Sequence, residues 1–204
     1  MSKIPTNPEE YLKTYTLKLC TLGDGGVGKT TFVERVATGI FNHSTKITIG
    51  IDIQSIHVVL DTDGEKILIR ISVWDLGGEN QFRFILPTYI TGADGGLLLF
   101  DVSQVRSMRN LHEWADLWRE HTTPGIPLYL VGAKYDCLVP RFEPTIRSTM
   151  QTLKKQLSAD KCFLTSSKTG EQIYEVIISI IIDMLQFKKI NLKLQEENFH
   201  FSQK

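Results

Sequence analysis

Alternating β-rich and helix-compatible segments along 204 residues predict an α/β fold, a six-stranded, mostly parallel sheet with one antiparallel edge strand, flanked by helices. Three observations carry this. The first is a complete phosphate-loop motif, Gly23-Asp24-Gly25-Gly26-Val27-Gly28-Lys29-Thr30. It lies between the alternating apolar run Leu17 to Leu22 and the helix-compatible stretch Thr31 to Thr38, the strand-turn-helix setting that such a loop requires. The second is Asp61-Thr62-Asp63-Gly64, which separates β-rich runs at about 51–60 and 66–74 and marks a hairpin, the source of the antiparallel strand. The third is the recurrence of short apolar runs at 95–101, 128–132 and 161–165, each preceded or followed by a longer amphipathic stretch.

Taken in order, residues 1–14, with Pro5 and Pro8, form a polar arm, and the first strand covers about 16–22. The helix after it begins at the phosphate loop, and later helices are expected near 107–121, 142–157 and 171–188. In the first of these, Leu111, Trp114, Ala115 and Trp118 fall at helical spacing and read as a core face. The most apolar stretch, Val176 to Leu185, is interrupted by Ser179 and Asp183. It is about half the ~20 residues that span a bilayer and reads as a buried terminal helix. One domain over 15–188 follows, with a tail over 189–204. In that tail Ile190-Asn191-Leu192-Lys193-Leu194 alternates with period two. A frayed end is the leading expectation, with a packed extension or a partner-binding strand as alternatives.

The 42% apolar content suffices for one ample core, and Lys plus Arg equals Asp plus Glu at 23 each. That balance disfavours nucleic acid or an anionic membrane as partner. Cys20, Cys137 and Cys162 show no metal-ligand spacing and read as reduced structural thiols of a cytosolic protein, Cys137 lying beside Asp136. The chain starts Met1-Ser2 and ends Phe201-Ser202-Gln203-Lys204, so neither a myristoylation glycine nor a prenylation cysteine is expected. A monomeric cytoplasmic protein, recruited to membranes or scaffolds through protein partners, is the resulting expectation. His112 and His121 have no nearby nucleophile and receive no catalytic role.

Glycines let successive backbone N–H groups converge on a polyphosphate at a helix N-terminus, where orphan donors and the helix dipole both favour an anion. Lys29 then reaches the terminal phosphates, and the Thr30 hydroxyl can ligate Mg²⁺. Trp74-Asp75-Leu76-Gly77-Gly78 ends another strand, which puts a carboxylate where a phosphate-loop enzyme holds its Mg²⁺ shell. Thr48-Ile49-Gly50-Ile51-Asp52, Ala133-Lys134-Tyr135-Asp136 and Thr165-Ser166-Ser167-Lys168 complete an ordered set. Each strand end lies on one edge of the sheet, where open α/β folds bind their ligands.

With these five motifs the chain resembles the Ras superfamily of small GTPases, most nearly the Rab branch, over about residues 15–188. Thr91-Gly92-Ala93-Asp94-Gly95, before the strand ending Phe100-Asp101-Val102-Ser103, is Rab-like too. The Trp-Asp-Leu-Gly-Gly and Lys-Tyr-Asp variants are also similar to GTPases of the septation and mitotic-exit networks. The resemblance implies a small G domain that binds GTP and GDP with Mg²⁺ and serves signalling or vesicle trafficking. It implies that loop residues Gly23 to Thr30, with Thr31, hold the phosphates; that Thr30, Thr48 and Asp75 serve Mg²⁺; and that the Gly78 N–H senses the γ-phosphate. Asp136 would accept from the guanine N1–H and amine, Lys134 would lie along the base, and Ser166, Ser167 and Lys168 would meet its O6 side. Phe41 matches the aromatic covering the guanine edge, with ordinary core as its alternative. An effector, an exchange factor and a GTPase-activating protein would bind switch segments 42–52 and 76–90. Phe82, Phe84, Ile85 and Leu86 there are either partner anchors or the inner side of an amphipathic turn.

Two residues depart from the family pattern. Ala133 replaces the usual Asn, so nucleotide is expected to bind more weakly or exchange faster, with guanine choice kept by Asp136. Glu79 replaces the Gln that orients the attacking water. A carboxylate can accept from that water but cannot donate, and it adds negative charge beside the γ-phosphate; the alternative is a Glu79 that simply faces solvent. Lys29, Gly78 and Glu79 are the catalytic candidates of a slowly hydrolysing switch. A non-hydrolysing guanine-nucleotide module and, below it, another phosphate-loop kinase or ATPase are the competing readings.

Overall fold

The computed structural model describes residues 11–43, 47–62, 65–192 and 196–201. Strands β1 (Lys13–Leu22), β2 (Ile51–Thr62), β3 (Glu65–Leu76), β4 (Gly95–Asp101), β5 (Leu128–Ala133), β6 (Lys161–Leu164) and β7 (Phe199–Phe201) form one sheet. Helices α1 (Lys29–Thr38), α2 (Leu86–Ile90), α3 (Leu111–His121), α4 (Glu143–Gln156) and α5 (Ile173–Phe187) connect and cover it. The strand order is β6-β5-β4-β1-β3-β2-β7. Parallel pairing joins β1 to β3 and β4, β4 to β5, and β5 to β6, whereas β2 runs antiparallel to β3. The expected α/β architecture is therefore observed.

The sheet sits between two helical layers because its apolar runs are double-sided. Leu17 and Leu19 of β1, with Leu97 and Leu99 of β4, pack in a cluster with α1 and α5. Their neighbours Cys20, Leu22, Leu98 and Phe100 pack in the other cluster, with α2, α3 and α4. Successive side chains in a strand point to opposite faces, so a continuous apolar run is what a sheet covered on both sides requires. Leu111, Trp114, Ala115 and Trp118 are all buried, as their spacing predicts. Burial also pushes the Cys20 thiol up to about 12, which suits a structural role. Among the described residues no helix is long and apolar enough to cross a membrane.

The sheet's order reverses at β1. The chain lays β2 and β3 on one side and then crosses to place β4, β5 and β6 on the other. The C-terminal end of β1 is thus a topological switch point, where a crevice opens between diverging connections. The phosphate loop occupies it directly after Leu22.

The strand count and the tail correct the expectation. The sheet has seven strands, because Phe199–Phe201 pair antiparallel with Val58–Leu60 on the outer edge of β2. Ile190 and Leu192 pack against the α1/α5 core, Phe199 is buried in it, and the Phe201 ring meets Tyr174 at 4.7 Å between centroids. The tail is a packed extension rather than a frayed end. Its physical reason is the open edge of β2, whose unpaired N–H and C=O groups accept a further strand, together with apolar surface beside it. Leu194, in the alternating run, lies outside the described residues.

Truncating a buried aromatic costs about 3–5 kcal/mol in well-packed cores and less where the site can collapse. Phe199→Ala is expected to destabilise the protein by about 2–3 kcal/mol, read as a lower urea midpoint at unchanged slope. An unchanged midpoint would show that the tail contributes nothing to the fold.

Candidate nucleotide-binding site

Three glycines of the loop at the end of β1 have positive φ, at Gly23 (130°), Gly26 (76°) and Gly28 (107°). These values are strained for any residue with a side chain. At Gly23 a Cβ would also overlap the Leu99 carbonyl of β4, so the loop can turn this tightly only because that position is glycine. Lys29, at the start of α1, is buried and folds back under the loop, donating to the carbonyls of Gly23 (2.7 Å) and Asp24 (2.8 Å). Burial lowers its pKa to about 8, against the opposing pull of Asp75, Asp24 and Glu79.

Oxygen atoms from three elements meet beside Lys29. The Thr30 hydroxyl of α1 lies 2.6 Å from the Thr48 hydroxyl and donates to Asp75 Oδ2, at the end of β3. Thr48 reaches the same carboxylate oxygen at 3.4 Å, and Thr21 of β1 donates to the other, Oδ1, at 2.7 Å. The parallel register that sets Thr21 opposite Asp75 makes this last bond possible. Two hydroxyls and a carboxylate are hard oxygen donors, and with phosphate oxygens and water they match the octahedral preference of Mg²⁺. The donor set therefore fits that ion. A cleft of about 130 Å³ adjoins it, lined by Lys29, Thr30, Thr31, Thr48, Gly78 and the loop glycines 25, 26 and 28 among others.

The segment after β3 presses on the loop backbone. A Cβ on Gly78 would overlap Gly25 N and Asp24 C and sit 2.6 Å from Gly23 O. Gly77 donates its N–H to Gly50 O at 2.8 Å, so the segment carrying Thr48 is tied to the one carrying Glu79. Glu79 is partly buried, and a Cβ on Gly25 would lie 2.9 Å from its Oε1, so the carboxylate rests on the phosphate loop. It does not simply face solvent.

A second cleft, of about 290 Å³, opens on the far side of the loop. Its walls include Gly28, Thr31, Phe41, Ala133, Lys134, Asp136, Ser167 and Lys168. Asp136 Oδ1 accepts from Ser166 Oγ at 2.6 Å, and its Oδ2 lies 3.9 Å from Lys168 Nζ. Phe41 stands just beyond the Gly39 cap of α1, half-buried against His43, at the mouth of this cleft. Apart from Val27, which is buried in the core, the sequence-predicted site residues line one of two adjoining clefts or contact a residue that does.

Some contacts gave no signal in the sequence. Lys134, in the left-handed region at φ 61°, donates to Gly26 O at 2.8 Å and pairs with Asp101 Oδ2 at 2.8 Å. Burial disfavours ionised Asp101, but Lys134 and Ser103 outweigh it and hold its carboxyl below the usual range. A lysine therefore joins the β5 end to the loop, beside the alanine that replaces the family Asn. The Asp24 side chain turns away from the cleft and accepts from Asn110 Nδ2 (2.9 Å) and Trp114 Nε1 (2.8 Å). His43 and Cys137 also line the second cleft.

Comparison with known proteins agrees with this geometry. The Ras family model matches residues 18–186. Ras-related protein RAB1BV of Beta vulgaris is 35% identical over 176 residues, 84% of this chain and 77% of that protein. GTP-binding protein ypt3 of Schizosaccharomyces pombe is 28% identical over 182 residues, 89% and 82% of the two chains. The Ras and EF-hand domain-containing protein of Danio rerio is 29% identical over 199 residues, 95% of this chain but 29% of that protein, so this chain spans less than a third of its length.

The Lys29 shift has a definite sign. Unfolded, this lysine keeps its proton up to about 10.5, whereas the free folded protein releases it above about 8. Between those values the unfolded state binds more protons, so the stability of the free protein rises with pH. Denaturation of the free protein at several pH values in that window is expected to show this rise, and Lys29→Met is expected to flatten it. Equal slopes in the two proteins would refute the burial of a strained ammonium.

Proposed function

This chain belongs to the Ras family of small GTPases, molecular switches that bind GTP or GDP with Mg²⁺ and hydrolyse GTP, and from that premise we propose how its own residues run the cycle. The observation that carries the proposal is the meeting of Thr30, Thr48 and Asp75 at one point beside Lys29. Gly23 to Thr31 hold the polyphosphate through backbone N–H groups, and Lys29 exchanges its loop carbonyls for phosphate oxygens. Thr30 and Thr48 are the metal ligands, and Asp75 orients them and the metal's water. Mg²⁺ held by these residues would supply positive charge to offset that of the phosphate oxygens.

Guanine is selected by Asp136, which presents its carboxylate to N1–H and the exocyclic amine. Adenine offers no such donor pair, and a carboxylate left unpaired beneath the bound base would lose about 1–3 kcal/mol. Ser166 fixes that carboxylate, Lys134 lies along one face of the base, Phe41 covers its edge, and Ser167 and Lys168 meet the O6 side. Because Lys134 also bonds Gly26 O, base and phosphate sites stay coupled although Ala133 supplies no amide.

Hydrolysis needs an ordered water in line with the γ-phosphate. Gly78 N–H faces that phosphate, and Glu79, resting on Gly25, accepts a hydrogen bond from the water. Its negative charge works against this by repelling the γ-phosphate oxygens, and an activating protein that brings positive charge raises the slow intrinsic rate.

Ras-family switches act through effectors, exchange factors and GTPase-activating proteins. In this chain we assign their contacts to 42–52 and 76–90, where Ile47, Ile49 and Phe84 are exposed apolar anchors. The 15–188 unit acts as a monomer, in the cytoplasm, and reaches membranes or scaffolds through protein partners.

Two measurements test this reading. In displacement assays GTP and GDP are expected to outcompete ATP by far, and Asp136→Ala is expected to remove the preference. Equal competition by ATP in the parent would end the guanine assignment. In single-turnover assays Glu79→Ala is expected to slow hydrolysis about tenfold while leaving GDP affinity unchanged, since GDP has no γ-phosphate to meet. Hydrolysis at the parent rate would remove Glu79 from the mechanism.

A further inference from the structure

Arg83 lies in the 3-10 turn Asn80–Ile85, four residues after Glu79, and has no part in the site described above. Its guanidinium is engaged on three sides. One terminal nitrogen donates to Glu113 of α3, the other lies 3.5 Å from Asp24 Oδ1, and the carbon sits 4.6 Å from the centroid of the Trp114 ring. Three-quarters of the side chain is buried, and its Nε is buried without a hydrogen-bond partner.

The Asp24 carboxylate is the shared point. Trp114 Nε1 and Asn110 Nδ2 donate to it at 2.8 and 2.9 Å, so two neutral groups of α3 and its N-terminal flank fix it firmly. Arg83 makes the third and longest approach, at 3.5 Å. Two close bonds thus join the phosphate loop to α3, and Arg83 joins the switch segment to that pair, closely to Glu113 of α3 and at longer range to Asp24 of the loop. A planar guanidinium can stack on the indole and fork between two carboxylates at once, which an ammonium cannot.

Resting on the reading of this chain as a GTP-hydrolysing switch, we infer that Arg83 is a positioning residue. It clasps the segment 79–86 to the phosphate loop and α3 and thereby holds Glu79 over Gly25. Arg83 touches neither substrate nor metal in this role; it acts through Glu79. The clasp is releasable because its contact with Asp24 is long and its partner Glu113 is largely exposed.

The test uses the full chain with GTP and GDP. Misplacing a catalytic group by about 1 Å can cost on the order of a hundredfold, so partial release of the clasp in Arg83→Ala is expected to slow single-turnover hydrolysis about tenfold. GDP affinity and melting temperature are expected to stay at parent values. Arg83→Lys is expected to remain slow, because an ammonium cannot reproduce the fork and stack. Glu113→Gln is expected to cost less, and its combination with Arg83→Ala no more than Arg83→Ala alone, as for residues acting through one contact. Hydrolysis of Arg83→Ala at the parent rate would overturn the inference. So would a loss of GDP affinity and melting temperature in step with the rate, which marks general structural support. Amide hydrogen exchange of residues 79–86 in the GDP form separates this from the switch reading. Should the parent turn over no GTP, that reading fails, but faster exchange in Arg83→Ala still supports the clasp and unchanged exchange overturns it.

Discussion

The Asp75 carboxylate is the point on which the site depends. It is fully buried, at the end of a strand in the middle of the sheet, where an uncompensated charge would be costly. Three hydroxyls stand against it, and each belongs to a different part of the chain: Thr21 to β1, Thr30 to α1 and Thr48 to the segment before β2. The need to satisfy one acidic group therefore brings the sheet, the phosphate-loop helix and the first switch segment to a common position. The proposed metal ligands are brought together in this way, and among the described residues no cluster of three or more acidic, cysteine or histidine side chains forms a second candidate.

Lys29 shows the complementary constraint. Its ammonium is buried among loop carbonyls, and burial works against its charge. In the proposed cycle a polyphosphate would bring negative charge to this buried cation already in place. The neighbouring Glu79 acts in the opposite direction, since it stabilises the Lys29 charge in the free state and opposes the incoming γ-phosphate.

Much of this was legible before any coordinates. The loop glycines, the strand-terminal Asp75 and the Lys134-to-Asp136 segment announce themselves, because each function requires a particular residue at a strand end, and strand ends can be read from apolar runs. The helical face of Leu111, Trp114, Ala115 and Trp118 was equally plain. What escaped were contacts between positions far apart in the chain. Phe199-His200-Phe201 is too short to show strand periodicity, and it is a strand only because the edge of β2 is open beside an apolar surface. Asp24 sits in a phosphate-binding motif, yet its side chain serves α3, 86 and 90 residues away. Nothing near Lys134 in sequence indicates that its ammonium bridges Gly26 and Asp101. Periodicity reports what a segment buries, not which distant partner it meets.

The two switch segments are linked through backbone rather than side chains, and this shapes how the protein can change state. Gly77 donates to Gly50, and Gly78 presses on the loop at Gly23, Asp24 and Gly25 so closely that no side chain fits between. Such contacts have no rotamers to absorb a displacement. A displacement of Gly78 from the loop would therefore strain the Gly77–Gly50 bond as well, and with it the segment that carries Thr48. The body of the sheet is held apart from this event, because β2 and β3 are paired along twelve consecutive residues up to Leu76.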